Sequence, residues 1–489
     1  MGATLALSTL PLALSAATLV AVLLVDSFGT RGWAIAVAWV GLAAASLAAA
    51  AGAAPPSTPV TLGGHAVAIA GGGRSVVAAV VFALAAASLA GSAARGTRAH
   101  DGPRTAALVV VASTGAALAI AATDLVLVIV ALETASLAGY ALVASAHTPR
   151  GDNASLTYFV QGTVATGILL FGLAGLVVLS GATGLAPITM ARASAFASLL
   201  VLVGLSFKAG LFPMHSWVPD AYETAPPAAA AFLASAPKIA ALVATASLLA
   251  GASVLQVPGV TVGLGIVAAA SIAFGTLAGL RQRSYRRMLG YSAIAQAGFV
   301  AVALAAGRHT FATAALMSIV YAVATLGAFM TAEVLETADP HWDGTIRAMA
   351  GLSRSRPGLA LGATACMLSL TGIPLTAGFW GKLAVFTSAV TAGSAWLAVV
   401  GLLGSVISFG YYGAVLRAVW LDEAADDETE ESTALGEASH TAADSPAKQA
   451  ADPRTRAGTA VVLLVAVAVI AIGVAPLVLG GTLFDVLAR

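Results

Sequence analysis

An all-α polytopic membrane protein with about fourteen transmembrane helices is the fold this chain predicts, and two observations carry the prediction. Of its 489 residues, 59% are hydrophobic and only 9% are charged, whereas a soluble domain carries roughly a quarter charged residues. A water-soluble surface cannot be assembled from so few charges. Apolar stretches close to the roughly 20 residues that span a bilayer recur from end to end, separated by short Gly, Pro and charged segments. These stretches are solid runs of Ala, Leu, Val and Gly without the alternation of a membrane strand. Helices, and not a barrel, therefore satisfy the backbone hydrogen bonds.

The helices centre near residues 15, 43, 84, 112, 134, 168, 204, 238, 268, 297, 322, 374, 406 and 469. The first apolar run, Leu5 to Val25, lacks the positive leader of a signal peptide and is long for one, so it reads as a retained first helix. Residues 1–100 form an N-terminal three-helix segment. Charge placement supports the count. Loops after odd-numbered helices hold sixteen Arg and Lys, among them Arg95, Arg98, Arg104, Arg281, Arg283, Arg286, Arg287, Arg347, Arg354 and Arg356. Loops after even-numbered helices hold only Arg74, Arg192 and Arg308. Positive loops stay in the cytoplasm, so both chain ends are expected on the outer face of an inner membrane.

The segment 422–456 departs from this pattern, because it holds ten of the 22 acidic residues among Ser, Thr and Ala. It reads as a flexible cytoplasmic loop, either an acidic docking tether or a solvated insertion. The final helix follows at 457–489.

The lone cysteine, Cys366, excludes an intramolecular disulfide and a cysteine-ligated iron–sulfur cluster within this chain. A net charge of +1 and the absence of a basic face argue against nucleic acid as a partner. The seven histidines are scattered without metal-ligand spacing. Gly263 to Ala268 matches a loose dinucleotide fingerprint, but it lies within an apolar helix with no strand before it.

The informative residues are charges inside apolar helices. Of four lysines, Lys208, Lys238 and Lys382 lie in such segments and only Lys448 is in a loop. A charge at mid-bilayer costs at least roughly 3 kcal/mol on insertion scales, so a requirement for an amine must hold it there. A lysine taken out of water exchanges its proton near neutral pH, whereas arginine keeps its charge. The acidic counterpart is Glu133, with Ser136 and Tyr140 on the same helix face. Polar stripes run along Ser318, Tyr321 and Thr325, along Ser405, Ser408 and Tyr412, and through Ser292 and Gln296. Such stripes either carry water chains between titrating groups or knit helices together by hydrogen bonds.

Two segments carry prolines beside a lysine: Phe207 to Asp220, with Lys208 and Pro213, and Ser369 to Lys382, with Pro374. Proline frees a backbone carbonyl, and paired interrupted helices in two halves of a chain point to an ion path at mid-membrane. His215 lies in the first interrupted segment, as a proton relay or an interfacial residue beside Trp217.

At these residues the chain resembles the antiporter-like membrane subunits of respiratory complex I, the proton-translocating NADH–quinone oxidoreductase, and among those the subunit N type. Y-E-T-A-P-P-A-A-A-A-F-L-A-S-A-P-K, ending at Lys238, and T-G-I-P-L-T-A-G-F-W-G-K, ending at Lys382, carry the resemblance. The latter ends in lysine where the subunit M type places glutamate, and the chain lacks subunit L's long lateral helix. The resemblance runs, with gaps, from about residue 105 to 420. It implies two inverted five-helix repeats, helices 4–8 in residues 101–255 and helices 9–13 in residues 256–421, with helices 7 and 12 broken. It further implies that Glu133 and Lys208 pair, that Lys238 is the central lysine of helix 8 and that Lys382 passes protons outward. His215, Ser292, Gln296, Tyr321 and Ser408 are expected to support the relay. NADH, FMN, iron–sulfur clusters and quinone are implied in partner subunits, with no cofactor or metal in this chain. The implied partners are the other membrane-arm subunits, including neighbouring antiporter-like ones, and the lipid bilayer. The family usually has histidine where Gln296 stands, and often lysine at the position of Thr157.

Two other readings remain open from the sequence. One is a cation/proton antiporter subunit without a redox partner; the other is a scaffold whose lysines only pin helices.

Overall fold

The structure of the protein, a computed structural model, describes the chain apart from residues 1, 28–32, 54–57, 63–64, 71, 93–100, 182, 185–194, 252–253, 258, 308–310, 424–452 and 480–489. Arg95, Arg98, Arg192, Arg308, Lys448 and most of the acidic segment 422–456 lie outside the described residues.

The first four helices are α1 (Gly2–Ser27), α2 (Ala34–Ala51), α3 (Gly72–Ser92) and α4 (Asp101–Ala121). They are followed by α5 (Leu125–Ala144), α6 (Pro149–Ser180), α7 (Ala195–Ala209), α8 (Trp217–Thr224) and α9 (Pro227–Gly251). Next come α10 (Val260–Gly279), α11 (Tyr285–Ala305), α12 (Phe311–Ala338) and the single turn α13 (Leu352–Ser355). The chain closes with α14 (Pro357–Thr371), α15 (Ala377–Thr391), α16 (Ala395–Trp420) and α17 (Pro453–Leu479). Twelve of these are long and apolar enough to cross a membrane. The pairs α7/α8 and α14/α15 are each one crossing interrupted midway, which brings the described crossings to the fourteen that the sequence predicts.

Local chemistry sets the helix ends. Asp124 caps α5 by accepting from the backbone N–H of Val126 and Leu127 at 2.9 and 3.2 Å. Thr148 does the same for Gly151 at the start of α6, and Ser284 for Arg287 at the start of α11. Small residues let helices approach closely: a Cβ on Gly275 of α10 would stand 2.7 Å from the Ala295 nitrogen of α11. The most enclosed helices are α9, α11 and α12, while the outer helices bury one face and leave apolar side chains such as Val130, Leu137, Val164 and Phe171 exposed. Exposed leucine and valine on these faces is what a lipid solvent or a partner helix requires.

Two features differ from the sequence expectation. A short antiparallel hairpin, β1 (Thr58–Leu62) with β2 (His65–Ala70), joins α2 to α3. It is held to the end of α4 by a bridge between Ala68 and Ala122. Arg74, expected in a loop, is in the first turn of α3, where its guanidinium donates to the carbonyls of Ile120 (2.7 Å) and Ala122 (3.2 Å). The terminal carbonyls of α4 lack helical partners and carry the negative end of the helix dipole, which attracts the cation there.

Candidate functional site

The site is assembled around the two interrupted crossings. At the end of α7, Gly210 adopts φ +69° and stops the helix, and Pro213 follows within the break. The freed polar groups find new partners. Trp217 Nε1 donates to the Phe207 carbonyl at 3.2 Å, and the Phe212 N–H donates to Ser271 Oγ of α10 at 2.9 Å. Lys208 sits in the last turn of α7, only 7% exposed. Its Nζ lies 2.7 Å from Glu133 Oε1 of α5 and donates to Ser136 Oγ, one turn further along α5, at 2.9 Å. Thr166 of α6 donates a second hydrogen bond to Glu133 Oε1 at 2.6 Å. The carboxylate is thus held by two helices, and its side chain remains 26% exposed.

Lys238 lies one residue after Pro237 in the middle of α9 and is 2% exposed. Pro237 cannot donate to the carbonyl of Leu233 four residues earlier. That carbonyl instead accepts the Tyr222 hydroxyl at 3.3 Å, which places the Tyr222 ring centroid 5.8 Å from Lys238 Nζ. The amine also presses on the break in the seventh crossing: a Cβ at Gly210 would stand 2.8 Å from Nζ. No hydrogen-bond partner of Lys238 Nζ is found among the described residues. A cavity of about 30 Å³, lined by both Lys208 and Lys238 together with Ser136, Tyr158, Trp217 and Tyr222, separates the two amines. A polar cavity above roughly 10–15 Å³ has room for water. Lys208, fixed by a carboxylate, and Lys238 therefore face each other across a space fit for a water bridge.

The second interrupted crossing repeats the device with a different source for the amine. Gly372 adopts φ +89° and ends α14, and Ser369 Oγ accepts the Gly378 N–H at 3.1 Å across the gap. The carbonyls of Leu370 and Thr371, released from helical bonding, accept from Lys382 Nζ at 3.0 and 2.8 Å. The Lys382 amine is 4.6 Å from the centroid of Phe299 and 4% exposed. Gln296 Nε2 donates to the same Leu370 carbonyl at 2.8 Å and stands 3.4 Å from the Tyr412 hydroxyl. Ser292 and Tyr412 share a short hydrogen bond. The polar stripes of α11 and α16 thus meet at the break, one carbonyl away from Lys382.

Tyr321 is buried on α12, a helix that packs against both α9 and α11. Ser408 is buried on α16, where its hydroxyl donates to the Ser405 carbonyl at 2.7 Å, one turn from Tyr412. The structure does not bring His215 to the lysines. Its ring packs against Phe212 and Phe274, with centroids at 5.3 and 4.4 Å, and it does not line the cavity between Lys208 and Lys238. Thr157 is exposed on α6, while its neighbour Tyr158 stacks on Trp217 at 4.0 Å.

Four groups in or near the site escape sequence reasoning. Thr166 is one of three threonines in α6. The Leu370 and Thr371 carbonyls are backbone atoms. Glu333 of α12 is a second carboxylate within an apolar helix, 1% exposed. Its signal was available in the stretch Ala332 to Ala338, where two glutamates interrupt an apolar run.

A family model described as NADH:quinone oxidoreductase/Mrp antiporter, transmembrane, matches residues 122–408, which contain Glu133, the three buried lysines and Gln296. The chain belongs to this family. Among relatives in it, the NADH-quinone oxidoreductase subunit N of Rhizorhabdus wittichii is 36% identical over 444 residues, covering 88% of this chain and 91% of that protein. The subunit N of Sphingopyxis alaskensis is 37% identical over 66% of this chain and 69% of its own length. A chain of respiratory complex I from Thermus thermophilus, solved with bound aureothin, superposes with a TM-score of 0.76 at 29% identity, covering 95% of this chain and 97% of that one. A chain of the Mrp complex from a Dietzia species superposes at 0.81 with 22% identity over 98% and 96% of the two chains, a likeness of fold. The family's antiporter-like architecture and the interrupted crossings described above therefore coincide in one polytopic membrane protein.

Proposed function

We propose that the chain is a proton-translocating membrane-arm subunit of a bacterial NADH–quinone oxidoreductase, of the subunit N type. It moves protons through Glu133, Lys208, Lys238 and Lys382 while quinone is reduced in partner subunits. NADH, FMN, iron–sulfur clusters and quinone belong, in this reading, to those partners, and the neighbouring membrane-arm subunits are themselves antiporter-like. Both chain ends face outward, as the arginine asymmetry requires. The two halves, residues 101–255 and 256–421, act as repeats, each with a positive-φ glycine at its break and an amine resting against it.

The observation that carries the proposal is the Glu133 to Lys208 contact of 2.7 Å, beside a cavity that Lys208 shares with Lys238. A charge arriving near Glu133 from a partner alters the hold on Lys208. With the pair closed, the positive charge of Lys208 is balanced and Lys238 accepts a proton through the cavity. With the pair open, the two cations oppose each other and Lys238 releases its proton toward Tyr321 and Gln296. Lys382, braced on the carbonyls of Leu370 and Thr371, delivers the proton outward. Each step exchanges Coulomb energy for desolvation, both on the order of several kcal/mol for buried ions. His215 acts from the seventh crossing's break as an aromatic spacer, and Ser292 and Ser408 hold Tyr412 and its neighbourhood in place.

Names carried by relatives across most of this chain favour the redox-coupled reading over an antiporter without a redox partner. The test is Glu133→Ala in the assembled complex, reconstituted in vesicles. Pumping should fall by about tenfold, equivalent to about 1.4 kcal/mol on the limiting step. Unchanged pumping contradicts the proposal.

A further inference from the structure

A second buried carboxylate lies outside the relay just described. Glu333 sits near the end of α12, and its Oε2 accepts the Ala228 N–H at 3.0 Å in the first turn of α9. It lines a vestibule of about 510 Å³ between the α5/α6 turn, the α8/α9 junction and the adjoining ends of α11 and α12. These are the ends that carry Arg286 and Arg287, so the vestibule opens at the arginine-rich face. Arg286 lines it as well, donating to the Ala225 carbonyl at 2.7 Å and lying 3.4 Å from Glu336. His147 contributes from the α5/α6 turn.

We propose that Glu333 is the intake carboxylate of this chain, taking protons from the vestibule and passing them to Lys238. This rests on the proton-translocating reading above. One turn before Glu333 on α12, Phe329 meets Tyr222 edge-on with centroids 5.8 Å apart. Tyr222 in turn carries Lys238 on its ring at 5.8 Å. In the proposed path these two aromatics form the partition between the vestibule and the central amine, Tyr222 lining the inner cavity. Glu333 stands at the vestibule and Lys238 at the inner cavity, and both are seated on α9, through the Ala228 N–H and the side chain itself. A hydronium ion in the vestibule breaks one O–H bond and is left as water as a new O–H bond forms on the Glu333 carboxylate. When water passes the Phe329 and Tyr222 partition, that bond breaks and an N–H bond forms on neutral Lys238, leaving carboxylate and ammonium. A helix cap alone has no need of a carboxylate, since an amide oxygen accepts the same N–H. Burying an ionisable group in a membrane helix is costly and is the mark of an ion path.

The test uses the assembled complex in vesicles. Glu333→Gln keeps the acceptor for Ala228 and loses the exchangeable proton, so a purely structural role predicts no change. The expected result is normal assembly with pumping lowered about tenfold, water bypassing part of the 10²–10⁴-fold that a positioned proton carrier contributes. Assembled Glu333→Gln complex that pumps like the parent overturns the inference. A second arm does not depend on folding of the altered site: Thr105→Cys, on the vestibule wall, is labelled after assembly with a membrane-impermeant maleimide from the cytoplasmic side. Pumping should drop on labelling relative to the same complex before labelling. Failure to label, or full labelling without loss, overturns the inference. Lys238→Met in parallel separates the two claims: if it alone stops pumping, the intake assignment fails, and if neither variant matters, the function itself fails.

Discussion

Each buried amine is distinguished by what it rests on. Lys208 has a carboxylate, Lys382 has two carbonyls released by a helix break, and Lys238 has an aromatic ring and a cavity. The central amine is thus the one whose charge is least compensated by the chain, which suits a group that changes charge in every cycle. Lys382 is held more firmly, and its removal has a structural cost. Lys382→Met leaves the Thr371 carbonyl without the donor described here and the Leu370 carbonyl with Gln296 alone, at about 1–3 kcal/mol for an unsatisfied buried acceptor. Thermal unfolding of the assembled complex should therefore shift downward together with the loss of pumping. Lys238→Met, which strands no such carbonyl, should lose pumping without that shift. The lysines and Glu133 were legible in the sequence because a charge in an apolar run is conspicuous. Glu333 was less so, because an acid near a helix end reads as a loop charge until the packing of α9 against α12 encloses it.

At the level of elements, prolines and positive-φ glycines turn helix interruptions into binding groups. The seventh and twelfth crossings showed their breaks through Pro213 and Pro374, and both are broken in the structure. The partners of the freed carbonyls were not legible, because backbone acceptors leave no mark on side-chain pattern. Pro237 shows the point inside an unbroken helix. It releases the Leu233 carbonyl to Tyr222 and so orients the ring beneath Lys238. Pro237→Ala restores a helical donor, and proline in a helix interior costs about 3 kcal/mol relative to alanine. The variant should be more resistant to thermal unfolding and slower in pumping, since the restored N–H competes with Tyr222 for its acceptor. A variant that is stabilised yet pumps normally would remove Tyr222 from the account. The hairpin of β1 and β2 escaped notice because a short strand pair between two apolar helices is outweighed by its surroundings.

Taken whole, the described residues enclose Lys208, Lys238, Lys382, Gln296 and Tyr412 in a band within the bundle, while the outer helices expose apolar side chains. The helix number and the class of fold followed from hydropathy and charge asymmetry, because a bilayer admits few alternatives. The joining of the band did not, since it depends on which faces of α5, α7, α9, α11, α12, α14 and α16 meet. Glu133, a quarter exposed, is where the proposed function has a neighbouring charge act, and Lys382 lies in the other interrupted crossing. The central claim is that these groups move protons through Lys238. The most direct measurement is the number of protons translocated per NADH oxidised by the reconstituted complex carrying Lys238→Met. The account predicts a reduced ratio in complex that assembles and still reduces quinone, and the parental ratio at the parental rate would contradict it.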